Sequence, residues 1–421
     1  MIYLTNTCAG RYGVPGVGPM AGGETRAVPL SVAARHWQHP ELRVEITDPL
    51  IDLPLRNTAT GTVDKLGYFG PVDSRFGYGG AGINILRALT SIGIDAAVYP
   101  HYDGGHTSIW PKDIPPDAQS QLVQRDWLPQ LALNHCLPDD LKRCPAPRKW
   151  CWTMWETDQI PRGTDKRYPF GDWAAEINQR AERLIVPCAH NAKVFGECGV
   201  EVPIDVLPYG IDTDVWPYCD RRTRPAGQPF TVVLFGDLTS RKAPEEAVDA
   251  FQLAFPNNAD VRLVLKTQNP AGLPRFAAVS SKFNDPRISV LCESWSRQQL
   301  VEWLWSADCY LFLGRGEGYS LTQLQAAATG LPVITTMHSG MGAYATPRHF
   351  YTVGTTGMSQ SPMGGRWYEP DVEAAAKHLR RIYQNPAAAF VRAQQTAHYV
   401  RRQFSLAAFA QRLHTYIEAH A

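Results

Sequence analysis

The sequence predicts an α/β protein with parallel sheets covered by helices on both faces. Three observations carry this. Short apolar runs of strand length recur along the chain, beginning at Ala96–Pro100. Helical periodicity separates them: Ala247, Phe251, Ala254 and Phe255 share one helix face, and Leu300 and Leu304 another. Polar or glycine-rich turns follow several of the apolar runs and lead into helices. Strand–helix alternation of this kind places successive strands parallel, because each return needs a crossover.

Taken in order, residues 1–60 read as a small accessory module. Strands are expected at Ile2–Asn6 and Leu42–Ile46, with glycine-rich turns and a helix at Ser31–Trp37 between them. The segment resembles accessory modules of phage-encoded proteins. The first large domain is expected over 61–210, with strands at Ala96–Pro100, Lys149–Trp155 and Leu184–Pro187. The second spans 211–395, with strands at Thr231–Gly236, Val261–Lys266, Ile288–Leu291, Cys309–Leu313 and Pro332–Thr336. The boundary falls in the turn chemistry of Leu207-Pro208-Tyr209-Gly210-Ile211-Asp212 and the polar stretch after it. Residues 396–421 are expected to cross back over the first domain as a helix.

The composition excludes several classes. The chain has 421 residues, 41 Lys+Arg against 40 Asp+Glu, a formal net charge of +1, 44% apolar and 19% charged residues. That is enough apolar material for two cores, and a balanced charge argues against disorder or a wholly basic nucleic-acid wrapper. No apolar run reaches the roughly 18 residues of a spanning helix, and Met1–Gly10 lacks a signal-peptide pattern. The nine cysteines form no CxxC, which predicts reduced, mostly buried thiols in a cytoplasmic protein.

Two segments carry the chemistry. The first is Gly314-Arg315-Gly316-Glu317-Gly318-Tyr319-Ser320-Leu321, after the strand Cys309–Leu313. Ser320 and Gln323 have capping-box spacing, so a helix should begin near Leu321 and stop before Gly330 and Pro332. A glycine-rich turn at the carboxyl end of a parallel strand suits a diphosphate, and Glu317 at its mouth suits sugar hydroxyls. The plain alternative is a structural turn whose Glu offsets the helix dipole. The second segment is Gly236-Asp237-Leu238-Thr239-Ser240-Arg241-Lys242-Ala243-Pro244. It places two cations at another strand-to-helix corner, where they can clamp phosphate or simply be solvated.

Together these segments resemble the family-four glycosyltransferases of the GT-B type. Gly236–Phe251 is similar to that family's Gly, Arg-Lys and amphipathic-helix stretch. Glu317–Thr335 is similar to its spaced acidic motif, with Gln325 in place of the second acid. Tyr209-Gly210-Ile211-Asp212 resembles the interdomain segment, and Gly79-Gly80-Ala81-Gly82 the N-terminal donor-phosphate loop. The resemblance covers roughly Tyr68 to the C-terminus. It implies two facing Rossmann-like domains with a nucleotide-sugar between them, and transfer with retention and without metal or cofactor. Arg241 and Lys242 would hold the diphosphate and Glu317 the donor sugar. Gly79, Gly80, Gly82, Gly236, Lys266, Gly318, Tyr319, Ser320, Leu321 and Gln325 would complete the donor side. The departures are Asp237 where the family often has Arg, Gln325, and Ala243 where it has Gly.

The first domain adds Glu156, just past a strand end, as a polar residue toward the donor sugar or a general base. Asp103, His135, Trp155 and Asp158 are acceptor-side candidates, with loop or core roles as the plainer reading. Lys142-Arg143, Arg148-Lys149-Trp150, Arg162 and Lys166-Arg167-Tyr168 concentrate positive charge, with aromatics that could stack on bases or sugars or could be core. A functional patch would imply a polyanionic acceptor, either hydroxymethylated phage-type DNA or a membrane glycolipid. Asp212-Thr213-Asp214 imitates a metal-binding DxD but lies in turn chemistry. Gly77–Gly82 fits GxGxxG, which keeps a nicotinamide-dependent dehydrogenase as a minor alternative. A nucleotide-sugar-binding module without activity is the second alternative, favoured by Gln325.

Overall fold

The computed structural model describes residues 2–6, 12–14, 17–28, 42–46, 60–72, 77–100, 129–144, 146–163, 170–220, 227–268 and 281–421. Its centre is two six-stranded sheets, each parallel throughout. The architecture is GT-B, two facing Rossmann-like units.

The first sheet has the order Ile204–Val206, Arg183–Val186, Arg148–Trp152, Leu131–His135, Lys65–Gly70, Asp95–Pro100. The second has the order Ile288–Cys292, Val261–Thr267, Phe230–Phe235, Cys309–Phe312, Val333–Thr336, Tyr351–Val353. The chain reverses its direction of travel between Phe230–Phe235 and Cys309–Phe312. That reversal leaves a crevice at the carboxyl ends of the strands. The central strands are apolar on both faces, and Val232, Val233 and Leu234 are fully or almost fully buried, as covering helices on both sides require.

The helices obey their local signals. Pro244 opens Pro244–Ala254, with Glu245 and Glu246 in its first turn. Asp371 caps Val372–Gln384 by accepting from the Ala374 N–H at 2.9 Å. The helix Pro386–Gln403 continues through residue 395, and the next helix, Leu406–His420, lies on Gly77–Ser91. Glu418 accepts from the Val63 N–H at 2.8 Å, and Tyr416 meets Trp150 edge-on at 5.4 Å.

The N-terminal segment holds a three-stranded antiparallel sheet in the order Thr25–Val28, Ile2–Asn6, Leu42–Ile46, and the hairpin Tyr12–Val14 with Gly18–Met20. Both strands expected there are present. The helix expected at Ser31–Trp37 lies outside the described residues.

Three local expectations need correction. The strand expected at Lys149–Trp155 runs from Arg148 to Trp152; beyond it Met154 packs against Gly318 while Trp155 stays in the first half's core against Trp173. Gly79, Gly80 and Gly82 are not a loop before a helix. They are helical, within Gly77–Ser91. Gly82 sits beneath the Tyr68 hydroxyl and the Pro71 carbonyl, where any Cβ would overlap both. Ser320 does not cap the helix Thr322–Ala328 either. Its backbone is left-handed, φ +67°, and its hydroxyl donates to the Gln323 side chain at 2.7 Å.

Candidate active site

Two strand ends build the crevice. Phe230–Phe235 leads through Gly236 into the tight turn Ser240–Lys242, and the neighbouring Cys309–Phe312 leads into Gly314–Gly318. Arg241 Nη1 donates to Glu317 Oε1 at 2.7 Å and to the Gly316 carbonyl at 2.9 Å. Lys242 Nζ stands 2.6 Å from the same Oε1. Among the described residues, Glu317 Oε2 has no protein donor. From the first sheet's side, Glu156 brings Oε1 to 3.7 Å from Arg241 Nη2.

The charges are strongly coupled. Burial alone would raise the Glu317 carboxyl, but Arg241 and Lys242 outweigh it and hold the group below the usual range. Burial, with Glu317 adding to it, raises Glu156 despite Arg241. Burial lowers Lys242 despite Glu317. Arg241 and Lys242 thus face two carboxylates, of which Glu156 is the one whose charged form burial disfavours.

Several contacts fix this geometry. Arg315 pairs with Glu246 and, at 2.9 Å, with Glu369, while its own N–H bonds the Arg241 carbonyl at 2.8 Å. Ala243 has φ +51°, which explains why the family pattern has glycine there. The Tyr319 side chain is locked in the core, donating to the Tyr209 carbonyl at 3.0 Å, so only its backbone can serve a ligand. Gly316 rests against the Glu156 carbonyl, where a Cβ would overlap it. The hairpin Thr355–Gln360 with Arg366–Pro370 spans the two halves, and Arg366 bonds Asp158 at 2.9 Å.

The remaining candidates sort as follows. Gly236, Gly318, Ser320 and Leu321 line the two turns, and Gln325 follows on Thr322–Ala328 with no hydrogen-bond partner for its side chain among the described residues. Lys266 is at the neighbouring strand end, but its amine donates to the Glu293 carbonyl at 2.9 Å and lies over Trp295 at 4.7 Å. His135 is fully buried, its ring nitrogens each 3.0 Å from a hydroxyl, of Tyr68 and of Tyr209. Burial pushes it down to about 3, so it is a neutral core residue rather than an acceptor contact. Asp158 is taken by Arg366, and the Trp155 indole donates to Thr157 at 2.9 Å. Asp103 lies outside the described residues.

The aromatic half of the basic stretch is also corrected: Trp150 and Trp152 are fully buried and cannot stack on a base. Arg143 pairs with Asp140 and Arg148 with Glu182. Lys166, Arg167 and Tyr168 lie outside the described residues. Asp212 is turn chemistry as expected, accepting from Arg87 at 2.9 Å and from the Asp214 N–H at 3.1 Å. The helical placement of Gly77–Gly82 removes the turn a dinucleotide fingerprint needs. The described cysteines are free thiols, and no helix of the described residues is long and apolar enough to cross a membrane. Sequence reasoning missed Arg315, Arg366, His190 and His338. His190 and His338 each stand just past a parallel strand's carboxyl end, which was the available signal.

Paired cations and a carboxylate thus stand at the switch point of one sheet, facing the other sheet of a GT-B fold. Residues 193–413 match the model of the family 4 glycosyltransferases in conflict systems, and the chain belongs to that family. The glycogen synthase of Mycobacterium tuberculosis is 26% identical over 191 residues, which is 45% of this chain and 42% of the relative's length. The chain thus matches less than half of that relative. HepE of Anabaena, solved with UDP-glucose, superposes with a TM-score of 0.63 at 10% identity, over 84% of this chain and 99% of HepE. Sucrose-phosphate synthase of Thermosynechococcus elongatus gives 0.59 at 15% identity, over 84% and 98%. These two similarities concern the fold.

Proposed function

We propose that the protein transfers a sugar from a nucleoside-diphosphate sugar to an acceptor hydroxyl. One observation carries the reading: Arg241 and Lys242 converge on a single oxygen of Glu317, whose other oxygen has no donor among the described residues. The cations suit the diphosphate and the open oxygen suits a sugar hydroxyl. HepE, with the same fold, was solved with UDP-glucose, which supports a uridine donor as the first to try. In the reaction the bond from the anomeric carbon to the phosphate oxygen breaks. The bond to the acceptor oxygen forms, and the hydroxyl proton leaves with the departing diphosphate. Fixed cations aimed at that leaving group supply the electrostatic stabilisation. Retention and metal independence belong to this proposal, supported by the family resemblance, and Arg241 and Lys242 are the cations it assigns to the leaving diphosphate in place of a metal.

The test is a panel of nucleotide-sugars, read as the shift in melting temperature and the slow release of nucleoside diphosphate. Glu317→Ala should keep the fold and lower that release by roughly one to three decades. Binding without release on any acceptor would favour the inactive module. An inverted product anomer would make Glu156 the base. The acceptor proposal, a polyanion such as hydroxymethylated DNA or an anionic glycolipid, now rests on charge alone. Transfer that does not fall with salt would remove it.

A further inference from the structure

We propose that His338 reads the donor's sugar: its Nε2–H donates to a sugar hydroxyl, with His190 from the facing half beside it. The inference rests on the reading of the cleft as a nucleotide-sugar site.

His338 follows the strand Val333–Thr336, the sheet neighbour of the strand that carries Glu317. The two loops are bound together. The Glu317 N–H donates to Ser339 Oγ at 3.1 Å, and the Gly340 N–H donates to the Glu317 carbonyl at 2.8 Å. Ser339 Oγ already accepts from Glu317, so its own proton needs an acceptor, and His338 Nδ1 lies 3.3 Å away. With Ser339 Oγ as the donor of that bond, which the proposal requires, the ring proton sits on Nε2. The Nε2 atom is buried and has no partner among the described residues. Buried donors are almost always satisfied, and this one belongs to a ring whose neighbour Ser339 holds the Glu317 backbone, which makes a ligand beside Glu317 its natural acceptor.

The ring's chemistry narrows the ligand. Burial pushes His338 down to about 3, with His190 contributing, so the ring is a neutral donor. A neutral N–H suits a hydroxyl oxygen, whereas the diphosphate has Arg241 and Lys242. The ring is held flat against Tyr368, centroids 4.5 Å apart at 29°. His190, in the first turn of Ala189–Glu197, meets the same Tyr368 edge-on at 6.3 Å, and its Nε2 is likewise buried without a partner. Two imidazole rings from opposite halves, each with an Nε2 unpartnered among the described residues, therefore meet one tyrosine beside the Glu317 loop.

Calorimetry with UDP and UDP-glucose, and with the ADP and GDP pairs, tests this on the full chain. His338→Phe keeps the ring and removes the donor. It should weaken UDP-glucose about tenfold and change UDP less than about twofold. Ser339→Ala, which releases the tautomer, should give a smaller loss in the same direction and carries the test if His338→Phe does not fold. Unchanged sugar-nucleotide affinity in the folded variants, or equal losses for UDP and UDP-glucose, would overturn the inference alone. A wild-type protein that binds none of the three pairs would overturn the reading of the cleft and this inference with it.

Discussion

Gly316 lies flush against the backbone carbonyl of Glu156, so the turn carrying Glu317 touches the opposite half through a surface that admits no side chain. The obstacle is backbone rather than a movable rotamer. Gly316→Ala should therefore separate the halves locally. We expect a stability loss of about 1–3 kcal/mol and a clear fall in turnover with any donor. Differential scanning calorimetry and donor hydrolysis check this, and a variant with wild-type melting and turnover would show the contact to be loose.

Arg241→Ala and Lys242→Ala should weaken binding of a nucleoside diphosphate, or its sugar, more than binding of the free nucleoside. Each should cost roughly tenfold or more, since charge-assisted bonds contribute about 1.5–3 kcal/mol. Equal losses for both ligands by calorimetry would show that the cations serve only Glu317.

The two carboxylates should titrate with opposite signs. Glu317 is held below the ordinary range, so its stabilisation is present above a pH of about 4.3 and lost as pH falls through its folded value. Glu156 is raised, so its contribution is favourable below about 4.3 and is lost as pH rises through its folded value. Glu156→Gln should accordingly raise the melting temperature near neutrality by a few degrees, with the gain vanishing toward pH 4. Glu317→Gln should lower it near neutrality and flatten the acid limb. A melting series across pH with both variants decides the matter.

Ala243 holds a left-handed conformation while its methyl is fully buried. Relief of backbone strain and loss of a buried methyl oppose one another at about 1 kcal/mol each, so Ala243→Gly should be near neutral. Ala243→Val should cost more than about 2 kcal/mol, because branching worsens both the conformation and the packing. It should also disturb the adjoining Arg241-Lys242 turn. Chemical denaturation of the two variants is sufficient.

The sequence made the strand–helix rhythm readable wherever burial left apolar runs, as at Phe230–Phe235 and Cys309–Phe312. The cation pair and Glu317 were legible because turn glycines and a helix-opening proline mark strand ends. Leu131–His135 was missed although it lies in the centre of its sheet. Its Asn134 and His135 break the apolar run, and the partners of His135, Tyr68 and Tyr209, come from distant parts of the chain. The capping spacing at Ser320 misled for a similar reason. Tyr344 takes the Ser320 carbonyl at 2.8 Å and helps hold a backbone turned left-handed, which local spacing cannot reveal. Arg315 and Arg366 act on residues far away in sequence, so nothing near them announces a role.

The helix Leu406–His420 covers Gly77–Ser91, and Gly210 is pressed so close to Phe409 that a Cβ would stand 2.5 Å from it. The ribosome thus completes the first sheet long before it delivers that sheet's cover. Until Leu406–His420 emerges, Phe409, Leu413 and Ile417 are missing from the core they belong to. The nascent first half must wait with that apolar face bare, which couples the maturation of the two halves.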